Sequence, residues 1–349
     1  MKTKLVRMDE QHIDAALIKE AGDVMQAGGL VAFPTETVYG LGGDALNPSS
    51  SERIYRAKGR PSDNPLIVHI ADMEALSVIV REIPERAVKL AKRFWPGPLT
   101  MIFYKSDLVP SETTGGLDTV AVRMPMHRIA QELIRAAGGY VAAPSANRSG
   151  RPSPTVVKYV IQDMDGRVEM IIDGGDVEIG LESTIVDLTV GRPTILRPGY
   201  ITRQMLEEVL TQVEEDETMM RDDSGQVPKA PGMKYRHYAP RGDLTMVDGE
   251  AESVIAYINA QVEIMRADNK ITGVIATDAN ISRYRADICK SVGERCNEYA
   301  IARELYRILR EFDDESVEVI YAETFDTYGF GQAIMNRLLK AAGYKVVHV

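Results

Sequence analysis

The sequence is poor in the residues that several common chemistries require. Only two cysteines, Cys289 and Cys296, occur in 349 residues. That is too few for a disulfide framework, and their spacing suits no metal site, so a reducing compartment is the natural reading. No run approaches the roughly 20 apolar residues of a membrane span. The opening MKTKLVRMDEQHIDAAL has no apolar stretch of signal-peptide length. A cytoplasmic protein without a membrane partner is therefore expected. Positive charge is also in deficit: 41 Lys and Arg against 51 Asp and Glu give a net charge of −10 and a pI near 5.2, which argues against stable coating of nucleic acid. The phosphate loop G-x-x-x-x-G-K-[ST], the dinucleotide fingerprint G-x-G-x-x-G, the elbow G-x-S-x-G and the zinc motif H-E-x-x-H are all missing, so any nucleotide site must be of another design.

What remains is ordinary globular composition, 44% hydrophobic and 26% charged, in a chain whose length suits two domains. Apolar residues recur at helical spacing over 13–27 and stop at Gly28-Gly29; LVAF (30–33) then reads as a buried strand. NPSSSERIYRAKG (47–59) has polar caps first and basic residues in its last turn, as a helix should. Strand patterns at 66–70, 99–104, 119–123, 140–143, 169–173, 183–188 and 194–197 alternate with helical ones near 126–136, 154–163 and 202–210. The mixture predicts a twisted mixed sheet flanked by helices over 1–212. An acidic, aperiodic stretch at 214–225, expected to be exposed, opens a linker over 213–242 that is rich in Pro, Gly and basic residues. The rings of Tyr235, His237 and Tyr238 in that linker suggest a lid rather than a spacer. From 243 to 349 a new alternation predicts a small Rossmann-like βαβ domain.

Local charge runs against the global trend. Arg53, Arg56, Lys58 and Arg60 crowd one segment; Arg148, Arg151 and Lys158 lie in ANRSGRPSPTVVK (146–158); Lys229, Lys234, Arg236 and Arg241 lie in the linker. Three basic islands on an acidic protein suggest convergence on phosphate, with Gly, Ser, Thr and Asn beside them to let N–H and hydroxyl groups approach. Each has a plainer reading: Lys58-Gly59-Arg60 as a solvated helix end, Ser145-Ala146-Asn147 as a turn, His69 as a satisfied core histidine, Thr35-Glu36-Thr37 as a strand edge before a glycine turn. Arg123 is harder to explain that way, because it ends a buried strand, where open α/β sheets place ligands, and a buried guanidinium needs an anion.

The segments PTETVYGLGGDA, KGRPSDNPLIVHI, WPGPLT, VAVRMP and APSANRSG follow one another within some 120 residues, with APGMKYRHYAP later. In this the chain resembles the YrdC/YwlC family, the threonylcarbamoyl-AMP synthases, in the long form that carries an additional C-terminal domain. The resemblance implies a YrdC-like fold with a basic cavity. It also implies that L-threonine, bicarbonate (or CO2) and ATP yield threonylcarbamoyl-AMP and pyrophosphate. Separate transferase proteins then pass the activated group to an adenosine beside the tRNA anticodon. By resemblance Thr37, His69, Arg123, Ala143 and Ser183 would hold threonine. Arg60, Asn64, Thr119, Ser145, Ser153, Arg197 and Tyr238 would hold ATP, with Tyr238 closing over the nucleotide. Lys58, Arg60, Ser145 and Asn147, the K-x-R and S-x-N pairs, would face the phosphates and carry catalysis. Mg²⁺ is expected with ATP, although no carboxylate pair identifies protein ligands for it. Two rival readings are a carbamoyltransferase of the hydrogenase-maturation type and a non-catalytic RNA-binding module. The first lacks its cysteine-rich motifs here, and the second lacks an aromatic stacking platform.

Overall fold

A computed structural model describes residues 2–217, 219 and 237–349. Of these, 2–149, 153–217 and 219 form one compact unit, and 150–152 with 237–349 form another.

In the first unit the strands are β1 (Lys4–Arg7), β2 (Val31–Phe33), β3 (Gly40–Asp44), β4 (Ile67–His69), β5 (Leu99–Tyr104), β6 (Thr119–Arg123), β7 (Val141–Ala142), β8 (Met170–Asp173), β9 (Thr184–Asp187), β10 (Thr194–Arg197) and β11 (Glu214–Glu215). They form one mixed sheet in the order β1-β8-β2-β3-β7-β4-β6-β5-β9-β10-β11. Parallel pairs such as β4–β6 alternate with antiparallel pairs such as β5–β6. The middle strands are buried on both faces and rich in apolar residues, as Val31–Phe33 and Ile67–His69 show.

Helix α1 (Ala15–Gln26) starts where Asp14 Oδ1 accepts the Ala16 and Leu17 amides at 2.9 and 3.1 Å, a cap worth about 1 kcal/mol. It buries Ile18, Ala21, Gly22 and Met25 in a core that includes Phe33, Ile129, Leu133, Val141 and Ile172. Helix α2 (Pro48–Lys58) has Asn47 as its cap, Pro48 in its first turn, and Gly59 at φ 65° as its left-handed stop. That stop releases the chain sharply toward Arg60.

The structure differs from the sequence expectation in β3. GLGGD reads as a turn, yet it forms a strand between β2 and β7. At Gly42 a Cβ would lie 2.7 Å from Met25 Cε and 2.8 Å from both Phe33 Cε1 and Val141 Cγ1, so only glycine lets the sheet close against α1 there. The acidic stretch after 213 also begins differently, as the edge strand β11 paired with β10, and Met219 is buried.

The second unit has a five-stranded parallel sheet: β12 (Asp243–Asp248), β13 (Thr272–Ala276), β14 (Ile288–Ser291), β15 (Val319–Glu323) and β16 (Val346–His348), in the order β14-β13-β15-β12-β16. Helices Ala251–Ala267, Glu298–Asp314 and Gly331–Ala341 supply the crossovers that parallel strands require. β14 and β16 are short and half-buried, which hides them from an apolar-pattern reading.

Candidate active site

The strands of the first unit deliver polar groups from neighbouring ends. In the parallel register of β4 and β6, His69 lies opposite Arg123, and β7 places Val141 beside His69. Ala143, just beyond β7, donates its amide to Ile67 O at 2.9 Å, which fixes the start of the Pro144–Asn147 loop. A single bridge between Gly40 and Ser145 then joins that loop to the PTETVYG segment.

At one end of this junction Arg123, 4% exposed, donates from Nη1 to Thr37 Oγ1 at 2.8 Å, and its Nη2 lies 2.7 Å from Glu36 Oε1. The proton order among the hydroxyls follows. Thr35 Oγ1 donates to Val38 O at 2.7 Å, so the 2.9 Å contact between the two hydroxyls has Thr37 donating to Thr35. The Thr37 oxygen is thereby left to accept from Arg123. His69 Nδ1 lies 3.1 Å from Ile67 O. Burial, and then the Arg123 charge, hold its pKa down at about 3, so the ring is neutral at physiological pH and adds no second cation. Burial also lowers His127, against the opposing pull of Glu10, Glu36 and Glu178.

At the other end Lys58, on the last turn of α2 and 3% exposed, points its ammonium into the loop. It donates to Ser145 O at 2.5 Å and Asn147 O at 2.6 Å, and approaches Asn147 Oδ1 at 3.4 Å; Ser145 Oγ donates to the same Oδ1 at 2.5 Å. The K-x-R lysine and both residues of S-x-N thus form one network. Arg60 donates to Asn64 O at 3.3 Å and Pro65 O at 3.1 Å. Asn64 is 1% exposed, and neither atom of its side-chain amide has a hydrogen-bond partner. A buried amide in that condition signals a ligand-facing group, because leaving it unpaired is costly.

Arg197, ending β10, reaches Ser183: Nε donates to its carbonyl at 3.0 Å and Nη2 to its hydroxyl at 3.1 Å. Ser183 Oγ also lies 2.8 Å from Thr100 Oγ1. A residue expected on threonine and one expected on ATP are therefore in direct contact. Ser153 donates to Glu182 Oε1 at 2.6 Å, both groups being buried. Thr119 stands at the half-buried start of β6.

Tyr238 belongs to the second unit, where its ring stacks on Tyr306 with centroids 5.2 Å apart and Arg337 lies over it at 5.7 Å. Tyr235, Lys229, Lys234 and Arg236 lie outside the described residues. Two members of the basic islands have other employment: Arg53 pairs with Glu169 at 2.5 Å, and Arg151 with Asp313 at 2.9 Å. Convergence of the whole of the first two islands on phosphate is thus corrected, because acids far along the chain neutralise part of both. Sequence reasoning passed over Glu36 and Glu182, the buried carboxylates among these groups; an acid between two threonines in an otherwise apolar stretch was the available signal. Among the described residues no group of three His, Cys, Asp or Glu side chains could cage a metal ion, and no helix is long and apolar enough to cross a membrane.

A family model described as "Telomere recombination" matches residues 23–199, and one described as "Threonylcarbamoyl-AMP synthase, C-terminal domain" matches 201–343. The threonylcarbamoyl-AMP synthase of Pyrococcus abyssi is 47% identical over 97% of this chain and 98% of its own length; that of Bacillus subtilis is 45% identical over 97% and 96%. The crystal structure of Pyrococcus abyssi Sua5 complexed with L-threonine superposes with a TM-score of 0.93 at 46% identity, covering 100% of both chains. A variant of that protein with alanine at a histidine and the following tyrosine gives 0.94 at 46% identity over 99% of this chain and 98% of its own. The chain belongs to the threonylcarbamoyl-AMP synthase family.

Proposed function

We propose that this chain is an ATP-using nucleotidyltransferase of the cytoplasm. L-threonine, bicarbonate and ATP give L-threonylcarbamoyl-AMP, pyrophosphate and water; with CO2 in place of bicarbonate no water is released. This is the first step in forming threonylcarbamoyladenosine next to the tRNA anticodon. The observation that carries the proposal is the Gly40–Ser145 bridge. It sets a buried arginine–hydroxyl cluster suited to an amino acid within one short stretch of chain from a lysine-centred loop suited to phosphates.

In this reading Thr37, His69, Arg123, Ala143 and Ser183 hold threonine, and Arg123 takes its carboxylate, which a planar guanidinium grips at two points. Arg60, Asn64, Thr119, Ser145, Ser153, Arg197 and Tyr238 hold ATP. The threonine amine captures CO2, and the carbamate oxygen attacks the α-phosphorus as pyrophosphate leaves. Such a step depends mainly on alignment and on stabilising negative charge. Lys58, Arg60, Ser145 and Asn147 have the chemistry for it. Lys58 already fixes the loop through main-chain oxygens, so the loop's shape and its charge come from one residue. Among the described residues no side-chain group could cage a metal ion; Mg²⁺ would arrive with ATP, held by phosphate oxygens. Its product would be consumed by separate transferase proteins acting on tRNA. The rival readings explain less: neither an RNA-binding surface nor a hydrogenase-type carbamoyltransferase accounts for near full-length identity to two synthases.

The test is pyrophosphate release from ATP with threonine and bicarbonate omitted in turn. Release should require both; release that needs neither refutes the proposal.

A further inference from the structure

Glu36 is the least satisfied charged group in the threonine end. It is 2% exposed, and neither carboxylate oxygen accepts a hydrogen bond. Its contact is the 2.7 Å approach of Arg123 Nη2, a charge contact out of line with the N–H bonds, since Nη2 also lacks an acceptor. The adjacent hydroxyls supply no donor: that of Thr37 donates to Thr35, and that of Thr35 to Val38 O. A carboxylate can accept about four hydrogen bonds, and burying one without donors is expensive. A donor-rich, positively charged ligand group would remove that cost.

The dimensions indicate which group. In an α-amino acid the ammonium nitrogen and carboxylate carbon share one carbon and lie about 2.5 Å apart. The buried Arg123–Glu36 pair likewise holds opposite charges side by side, with Nη2 2.7 Å from Oε1. Laid antiparallel, the two dipoles satisfy each other. Neutral His69 leaves the pair's local charge balanced, so a simple carboxylate finds no net attraction there. We propose that Glu36 is a specificity-determining residue that takes the ammonium of the amino acid whose carboxylate takes Arg123. The pair then reads a zwitterion rather than an anion. The inference rests on the assignment of Thr37, His69 and Arg123 to threonine.

The test is calorimetric titration of the full chain with L-threonine, with 2,3-dihydroxybutanoate (ammonium replaced by hydroxyl), with threoninol (carboxylate removed) and with ATP. Wild type should prefer threonine to both analogues by more than about tenfold, the usual weight of a hydrogen-bonded charge. Glu36→Gln should weaken threonine by about tenfold or more while leaving ATP within about twofold and dihydroxybutanoate no weaker, since the uncompensated Arg123 favours a simple carboxylate, and Glu36→Asp should restore part of the loss. Equal weakening of threonine and dihydroxybutanoate by Glu36→Gln would mean that Glu36 only aims Arg123, and would overturn the proposal. So would wild type binding dihydroxybutanoate as tightly as threonine, a readout that does not depend on any variant folding. Arg123→Ala tests the underlying assignment separately: it should weaken threonine far more than ATP, and equal losses would remove the assignment itself.

Discussion

His69 and Lys58 show how burial decides what a titratable side chain can do here. His69 ends a strand with its ring enclosed, and the guanidinium opposite it opposes a second positive charge. Its folded pKa near 3, against 6.5 for an ordinary imidazole, means that between those pH values the unfolded chain binds a proton the native chain refuses. Stability therefore rises with pH through that window, and His69 contributes no further slope above it. In denaturant titrations from pH 3 to 7, His69→Gln should flatten the stability–pH curve by about one proton between roughly pH 3.5 and 6. An unchanged slope would show that the ring protonates in place. Lys58 was legible in the sequence as part of a basic island, and so was Arg60. Arg53 and Arg151 looked the same but are taken by Glu169 and Asp313, which lie 116 and 162 positions away. Which cations are neutralised is a long-range property that local composition does not encode. Glu36 was visible only as an acid between two threonines, because its partner Arg123 comes from a distant strand.

At the scale of elements, α2 was readable from end to end because its signals are local: Asn47 and Pro48 at the start, basic residues in the last turn, and Gly59 at the stop. β3 was not, since its glycines mimic a turn and the reason for them is non-local. Met25 on α1, Phe33 on β2 and Val141 on β7 converge on Gly42, and none is near it in sequence except Phe33. Gly42→Ala should accordingly destabilise the protein by about 1–3 kcal/mol through overpacking, read as a lower midpoint in urea with an unchanged slope. Neutral behaviour would mean that the Met25 thioether moves aside freely. The consequence for the site is direct, because β3 begins at Gly40, the residue that bridges to Ser145 and lies three positions after Thr37.

For the molecule as a whole, both halves of the fold class were legible, because helices and strands alternate in two blocks separated by an aperiodic acidic stretch. The family match covers both blocks, 23–199 and 201–343. The motifs that carried the resemblance all lie within residues 1–240, whereas the parallel sheet beyond was read from pattern alone. In the proposed reaction one site joins an amino acid, a one-carbon unit and a nucleotide. The most direct measurement supplies carbon-labelled bicarbonate with ATP and threonine, then separates the nucleotide products. The label should appear on an AMP adduct whose mass also includes threonine, and only when threonine is present. Label-free AMP, or a labelled adduct formed without threonine, would contradict the account.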